Sequence, residues 1–453
     1  MLKRLATTLW GNFESKEELK KFGILAFIFC GIIAIYWALR PMKDSIFNTI
    51  VGLEDWQPYA KGLSLVIIFP IVMLYSKLVD MFPRHKVFYF LTGLYGVIAL
   101  IMYFCFADPS IGLANTVKSP YRIIGWVWYI WVESFGSLMV ALFWAIVTDI
   151  TSPESAKRGF PLIALFGQVG NMVGPYFLNA KMLGFSNSAP VVGILSGMLF
   201  LIGFMFWVFM HVTPANQLKG YRAEGEVEVE SEPGFFEGLK LLVTQGYLLG
   251  LFLIITIYEV IVTVLDYHFK CSVMNAFTNE LEQGSYLASY ATMTGVVSTL
   301  CVLFGINSIQ RILGMRVSLL MLPILTAAAV ILIKFNPQSL IIGFWIMVFS
   351  KAVNYALNQP TLKQLYIPTS KDTKYKAQAW IEMFGGRFSK ASGSFINSFR
   401  KPLVSQLGGI DGVARFLMFS SLISFGLVGL WLFVAIYVAA TYDKAIKEKR
   451  IVC

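Results

Sequence analysis

Residues 213–234 read TPANQLKGYRAEGEVEVESEPG, with Glu224, Glu226, Glu228, Glu230 and Glu232 running into Pro233 and Gly234. The carboxylates repel one another and too few large apolar side chains accompany them to build a core, so the stretch reads as an acidic cytoplasmic linker. On both sides of it the composition is the opposite. A membrane span needs about 20 mainly apolar residues. Six such segments precede the linker, at 22–40, 57–80, 87–107, 121–149, 159–182 and 190–212, and six follow, at 246–268, 284–308, 315–335, 338–358, 376–400 and 412–442. The expected organisation is an N-terminal six-helix half (1–212), the linker (213–234) and a C-terminal six-helix half (235–453).

Composition agrees with a bilayer protein. Of the 453 residues 57% are apolar, 15% aromatic and only 14% charged, and the mean hydropathy is +0.67. A soluble domain carries about a quarter charged residues, so a cytosolic enzyme, a secreted disulfide scaffold and a disordered chain are excluded. The net charge of +11 does not point to nucleic acid, because no basic cluster is interleaved with aromatics on a soluble surface. It follows the sides of the membrane instead. With the N-tail, the even-to-odd loops and the C-tail on one side, that side holds 23 Lys and Arg against 10 on the other, and Lys61, Lys351, Arg387 and Lys390 lie within spans. The positive-inside rule then puts both termini in the cytoplasm. No small-x-small cleavage site follows the basic N-terminus, so the first run reads as an uncleaved span. Cys30, Cys105, Cys271, Cys301 and Cys453 show no CxxC spacing and read as structural thiols.

The halves echo each other. Pro153 and Pro368, each closing a polar helix end, stand 215 residues apart; Gly167 and Gly385 stand at 218; Tyr36 and Asp44 answer Tyr258 and Asp266, both at 222. Matches in a common order predict an all-α membrane protein of twelve transmembrane helices in two parallel six-helix repeats, the major-facilitator-like arrangement. Such a fold binds substrate near mid-membrane, where the halves meet.

Charges inside spans carry the functional information, since each costs about 2.5–3.5 kcal/mol at the centre of an inserting helix. Span 1 closes with Tyr36, Arg40, Lys43 and Phe47 on one helical face. The two cations either snorkel to the interface or bind an anion. Glu133 of span 4 shares a face with Trp126, Tyr129 and Ser137, and either forms a structural ion pair or takes part in transport. Glu259 of span 7 is a second intramembrane acid, whose neighbours Tyr258 and Thr263 leave its partner open. Span 11 presents Lys376, Trp380, Met383, Arg387, Lys390 and Ser394 on one face. Cations beside aromatic planes suit a phosphorylated nucleoside, because the cations neutralise phosphate while a ring stacks on the base; snorkelling of Lys376 and Lys390 is the competing reading. Gly167, Gly170 and Gly174 of span 5 predict close helix packing, with Gln168 and Asn171 as cavity polar groups. Span 10 ends in Lys351, Asn354, Asn358, Gln359 and Pro360, too polar for lipid, and Pro360 should loosen its helix. There is no Gly-Lys pair for a Walker loop, and His85, His211 and His268 lack metal spacing. Neither enzyme chemistry nor a metal or cofactor is expected.

These residues carry a resemblance. Arg40-Pro41-Met42-Lys43-Asp44-Ser45, Glu133-Ser134, Leu142-Phe143-Trp144, Lys157-Arg158-Gly159-Phe160-Pro161-Leu162, Lys351 to Leu357, Tyr366-Ile367-Pro368, Lys376-Ala377 and Gly386 to Gly393 resemble the ATP/ADP translocase family of plastids and intracellular bacteria over nearly the whole chain. The resemblance implies exchange of ATP for ADP without hydrolysis, with phosphate or protons as further partners, in the inner membrane of an intracellular bacterium, and a monomer is expected. The family's span 1 lysine falls on Lys43, its span 4 glutamate on Glu133 and a C-terminal lysine on Lys376 or Lys390. Where the family has a Glu-Val-Thr-Trp-Lys run in span 7, this chain reads Ile261-Val262-Thr263-Val264-Leu265, followed by Asp266. The alternative reading is a proton-coupled net importer of nucleotides or another organic phosphate.

Overall fold

The computed structural model describes residues 13, 15–218, 240, 242–303, 308–369, 381, 385–448 and 450–452. Most of the acidic linker, together with Lys376, Trp380 and Met383 of the span 11 face, lies outside the described residues.

The described chain is helical. The helices are α1 (Lys16–Ile50), α2 (Leu53–Met81), α3 (Arg84–Ala107), α4 (Ile123–Asp149), α5 (Pro153–Phe177), α6 (Ala189–Val212), α7 (Gly246–Ala276), α8 (Glu280–Leu303), α9 (Ser308–Phe335), α10 (Leu340–Gln364), α11 (Gly386–Ser398, continued by Arg400–Leu407) and α12 (Gly409–Glu448). Among the described residues ten are long and apolar enough to cross a membrane; α5 and the described part of α11 are not. The reason in α5 is visible in its residues, where Glu154, Lys157 and Arg158 fill the first two turns and Pro161 and Pro175 sit inside the helix. Such a helix crosses only where protein covers its polar face.

Helix starts follow local chemistry. Ser15 caps α1 by accepting from the Glu18 amide at 3.0 Å, Ser152 and Pro153 open α5, and Ser339 caps α10. Buried polar contacts fasten the ends. Glu18 accepts from Arg158 at 2.9 Å and Ser155 at 2.7 Å, and the Lys21 ammonium donates to the carbonyls of Ile150 and Gln217, closing the end of α4 and the short 3₁₀ turn Ala215–Leu218.

Contacts group the chain into two compact units. The first comprises residues 1–53, 66–228 and 277–295. Within it α1 is the central helix, packed on α5, α4 and α6. Small residues make the closest approach: Gly170 of α5 lies on the Cys30 carbonyl of α1, and Gly174 on Ala34, with no room for a side chain at either. The outer layer pairs α3 with α6, where Ser196 donates to the Gly96 carbonyl at 2.7 Å. The second unit comprises residues 54–65, 229–276 and 296–453. Here α7 is central, packed on α11, α12 and α10, and Gly393 of α11 lies against Val260 and Thr263 of α7. Each unit thus has the first or seventh helix at its centre, as expected of two related repeats.

Candidate functional site

The first helix does not close at residue 40. It runs unbroken to Ile50 through Pro41, so Lys43 and Phe47 lie within a buried helical stretch and not at an exposed mouth. Snorkelling of Lys43 is thereby replaced by a buried contact. Its side chain is 7% exposed and its ammonium is ion-paired to Glu133 of α4. The same ammonium stands 4.4 Å from the centre of the Tyr129 ring, one turn before Glu133, and Phe47 packs on Tyr129 and on Trp126 at 5.1 and 5.5 Å. Cation–π contact and ion pairing together offset part of the ammonium's desolvation. The Glu133 side chain keeps 36% of its exposure, so the pair is accessible from one side.

One turn back, the Arg40 guanidinium stands 4.6 Å from the Trp37 ring centre and 5.8 Å from that of Tyr36. Tyr36 in turn packs against Gly136 of α4, a position where any side chain would meet its ring. Arg40 and Tyr36 are both half-buried. The α1 and α4 faces therefore present a half-exposed guanidinium, two or three aromatic planes and a carboxylate–ammonium pair within two helical turns. That arrangement can take an anion at the cations and a planar group at the rings.

A second charged cluster lies in the other unit. Asp266 of α7 accepts from Lys270, one turn on, at 2.6 Å and from Lys351 of α10 at 2.8 Å, and all three side chains are 10–13% exposed. Directly after Lys351 the helix α10 opens into a π turn at Asn354–Asn358, with Pro360 starting the α-helix that follows. The turn stacks two buried amides, Asn358 donating to Asn354 at 2.8 Å, while Asn358 Oδ1 has no hydrogen-bond partner among the described residues. Inserted π turns recur at functional positions because they re-aim side chains.

The remaining expected residues are distributed differently. Asn171 of α5 is buried beside Gly295 of α8, with its Oδ1 unpartnered among the described residues. Glu259 is half-buried, and the acid that gathers cations in α7 is Asp266, two turns further. On α11, Arg387 is half-buried, Lys390 is exposed and Ser394 is buried. The structure brings together Tyr36, Arg40, Lys43 and Glu133. It adds Asp266, Lys270 and the Lys351 contact, for which the sequence offers two signals: the i, i+4 spacing of Asp266 and Lys270, and a span 10 too polar for lipid.

A helical two-repeat membrane protein with charged clusters buried on its first and fourth and on its seventh and tenth helices is the architecture of a membrane transporter. The chain belongs to the TLC ATP/ADP transporter family, whose model matches residues 1–337 and 326–442. Among its relatives, the ADP,ATP carrier protein 1 of Rickettsia prowazekii is 27% identical over 95% of each chain, and that of Rickettsia typhi 26% identical over 95% of each. The chloroplastic ADP,ATP carrier protein 2 of Arabidopsis thaliana is 23% identical over 96% of this chain and 76% of its own. Solved structures share the major-facilitator-like fold: a bacterial homologue of the lysosomal transporter Spinster (TM-score 0.64, 13% identity, 95% of this chain and 99% of that one) and the nucleoside transporter NupG (TM-score 0.60, 11% identity, 93% and 99%). The protein is a multi-pass membrane transporter and not an enzyme.

Proposed function

We propose that the protein exchanges ATP for ADP across the membrane by alternating access, without hydrolysis, and that the Lys43–Glu133 pair is its substrate-responsive element. The observation that carries the reading is the placement of that pair beneath Tyr129, one turn from Arg40 with its two aromatic rings. The substrate phosphates would draw the Lys43 ammonium away from Glu133, with Arg40 as a second cation and Tyr36 or Trp37 against the base. Releasing a carboxylate that has lost its cation gives the bound state a free-energy difference that an empty carrier lacks, which is what a ligand needs in order to shift a conformational equilibrium. Relatives named as ADP,ATP carriers support the choice of substrate pair.

In this reading both termini face the cytoplasm, following the basic-residue asymmetry, and the functional unit is the monomer in the inner membrane of an intracellular bacterium. Phosphate or protons accompany the nucleotide where charge balance requires it. The test is uptake of labelled ATP into proteoliposomes preloaded with ADP, with phosphate or with buffer, at equal and unequal pH. Uptake that requires internal ADP is expected. Equal uptake into empty vesicles, rising with an inward proton gradient, would overturn exchange.

A further inference from the structure

Within the second unit a small cavity lies where α7, α9 and α12 pack together. Every residue of its wall is buried, and it leaves about 10 Å³ for the centre of a water molecule. That is about the room one water needs, and the cavities that stay dry are those with apolar walls. This wall is mixed. Val330 and Ile333 of α9 give it apolar surface, while His268 of α7 and Ser420, Ser421 and Ser424 of α12 bring polar groups.

The histidine has one ring nitrogen in use. His268 Nε2 lies 3.2 Å from the carbonyl of Pro337, in the turn between α9 and α10. Ser272, one turn on in α7, donates to the His268 carbonyl at 3.1 Å and stands 3.4 Å from the same Pro337 oxygen. A carbonyl only accepts, so Nε2 carries the imidazole proton, and in the neutral ring Nδ1 is an acceptor. That nitrogen is buried and has no partner among the described residues. A buried acceptor without a donor loses its hydration and gains nothing in return. On α12 the three serines fall within about one turn of a membrane-length helix, all of them buried, and the Ser420 hydroxyl donates to the Leu417 carbonyl at 3.3 Å. Hydroxyls both donate and accept, so the same turn can serve either end of a water.

We propose that this cavity is a binding site for one structural water, which donates to His268 Nδ1 and completes its remaining bonds with the serine hydroxyls of α12. The water fixes the tautomer in which Nε2 donates to Pro337, and through it α12 helps to hold the α9–α10 turn against α7. Asp266 and Lys270 stand two residues to either side of His268, which on a helix puts them on the other side of α7. The charged cluster thus occupies one side of α7 and the hydrated pocket the other. The water belongs to the resting structure whatever substrate the carrier moves.

The chain has three histidines, His85, His211 and His268, so the imidazole nitrogens are a sparse reporter. Full-length protein isotopically labelled at those nitrogens is reconstituted in lipid and studied by solid-state magnetic resonance, in which nitrogen shifts report the tautomer and magnetisation transfer from water reports hydration. Replacing His85 and His211 in turn by glutamine assigns the three rings, and exposed His211 is the positive control. The expected result is a neutral His268 ring with its proton on Nε2 and with water transfer to the ring despite its burial. A ring protonated at Nδ1, or one without water transfer while His211 shows it, would overturn the proposal. Ser424→Val fills the pocket with methyl groups and is expected to abolish transfer at His268 alone. Transfer that persists there in the folded variant would put the water elsewhere and overturn this site. If altered His85 and His211 signals show that the variant has misfolded, the wild-type spectrum decides by itself.

Discussion

Lys43 of α1 is ion-paired to Glu133 of α4, and the corresponding helices of the second half, α7 and α10, carry the same kind of pair with the signs reversed, Asp266 to Lys351. The basic residue sits on the first helix of one repeat and on the fourth of the other. Reversal makes the two sites chemically unequal. If the first pair is the element that nucleotide displaces, Lys43→Ala should lower exchange by about tenfold or more, because a charge-assisted phosphate contact is lost. Its stability cost should stay below the about 3–5 kcal/mol of a fully buried broken pair, since the Glu133 side chain is 36% exposed. Uptake kinetics with a thermal unfolding curve separate the two effects. Normal exchange in a folded Lys43→Ala protein would remove Lys43 from the site.

The second pair predicts the opposite balance. Asp266 faces Lys270 and Lys351 together, with all three side chains nearly buried. Asp266→Asn leaves two ammonium groups facing each other and should cost about 3–5 kcal/mol of stability. Lys351→Met removes only one of the cations around Asp266 and should cost less. The order of melting temperatures in detergent, wild type above Lys351→Met above Asp266→Asn, checks this, and a reversed order of the two variants would show that Asp266 is not the centre of the cluster.

The apolar segments and the repeat were legible in the sequence because burial in lipid demands long apolar runs, and a duplicated half leaves prolines, glycines and tyrosines in the same order. The end of α1 was not. Arg40, Lys43 and Asp44 read locally as the exit from the bilayer, whereas the helix continues to Ile50 because Lys43 finds Glu133 on α4 and Ser45 and Asn48 find Glu280 and Gln283 on α8. Partners 90 or more residues away leave no trace in local spacing. The same limit applies to the charged clusters. Lys43 and Glu133 were each visible as costly intramembrane charges, and resemblance marked both, but their pairing is a tertiary fact. The reading of span 11 as one cationic face rested on spacing alone, and Lys390 is exposed while Ser394, four residues on, is buried.

Glycines at the α1–α5 contact provide a test of packing. A side chain at Gly174 would meet the Ala34 backbone and one at Gly170 the Cys30 carbonyl, and backbone atoms cannot turn aside as a flexible side chain would. Gly170→Ala and Gly174→Ala should each destabilise by about 1–3 kcal/mol, as overpacking does. Gly197 of α6 serves as the control, since nothing lies within 4 Å of the position of an added Cβ there. Gly197→Ala should be neutral or stabilise by up to about 1 kcal/mol through helix propensity. Melting temperatures of the three variants decide it, and equal effects at all three would mean that the α1–α5 approach is not tight.

Between α3 and α4 the chain crosses residues 108–122 without regular structure, yet it is fastened at both ends. Asp108 accepts from the Ser110 hydroxyl at 2.6 Å and from the Ser110 and Ile111 amides at 2.8 and 3.1 Å, and those bonds, the hydroxyl's first, hold its carboxyl below the ordinary aspartate range. At the far end the Arg122 guanidinium donates to four carbonyls, those of Ile111, Gly112, Asn115 and Val117, at 2.7 to 3.0 Å. A lysine cannot reproduce this, because an ammonium has three donors and lacks the planar fork. Arg122→Lys should therefore loosen the loop nearly as much as Arg122→Ala, with each variant freeing carbonyls that Arg122 now holds. Limited proteolysis of the reconstituted protein at Tyr121 and Lys118 should be faster in both variants than in wild type, while ATP/ADP exchange, if it depends on α1 and α4 as proposed, should fall by no more than about twofold. Resistance of Arg122→Lys to cleavage would mean that charge alone, not the forked geometry, orders the loop.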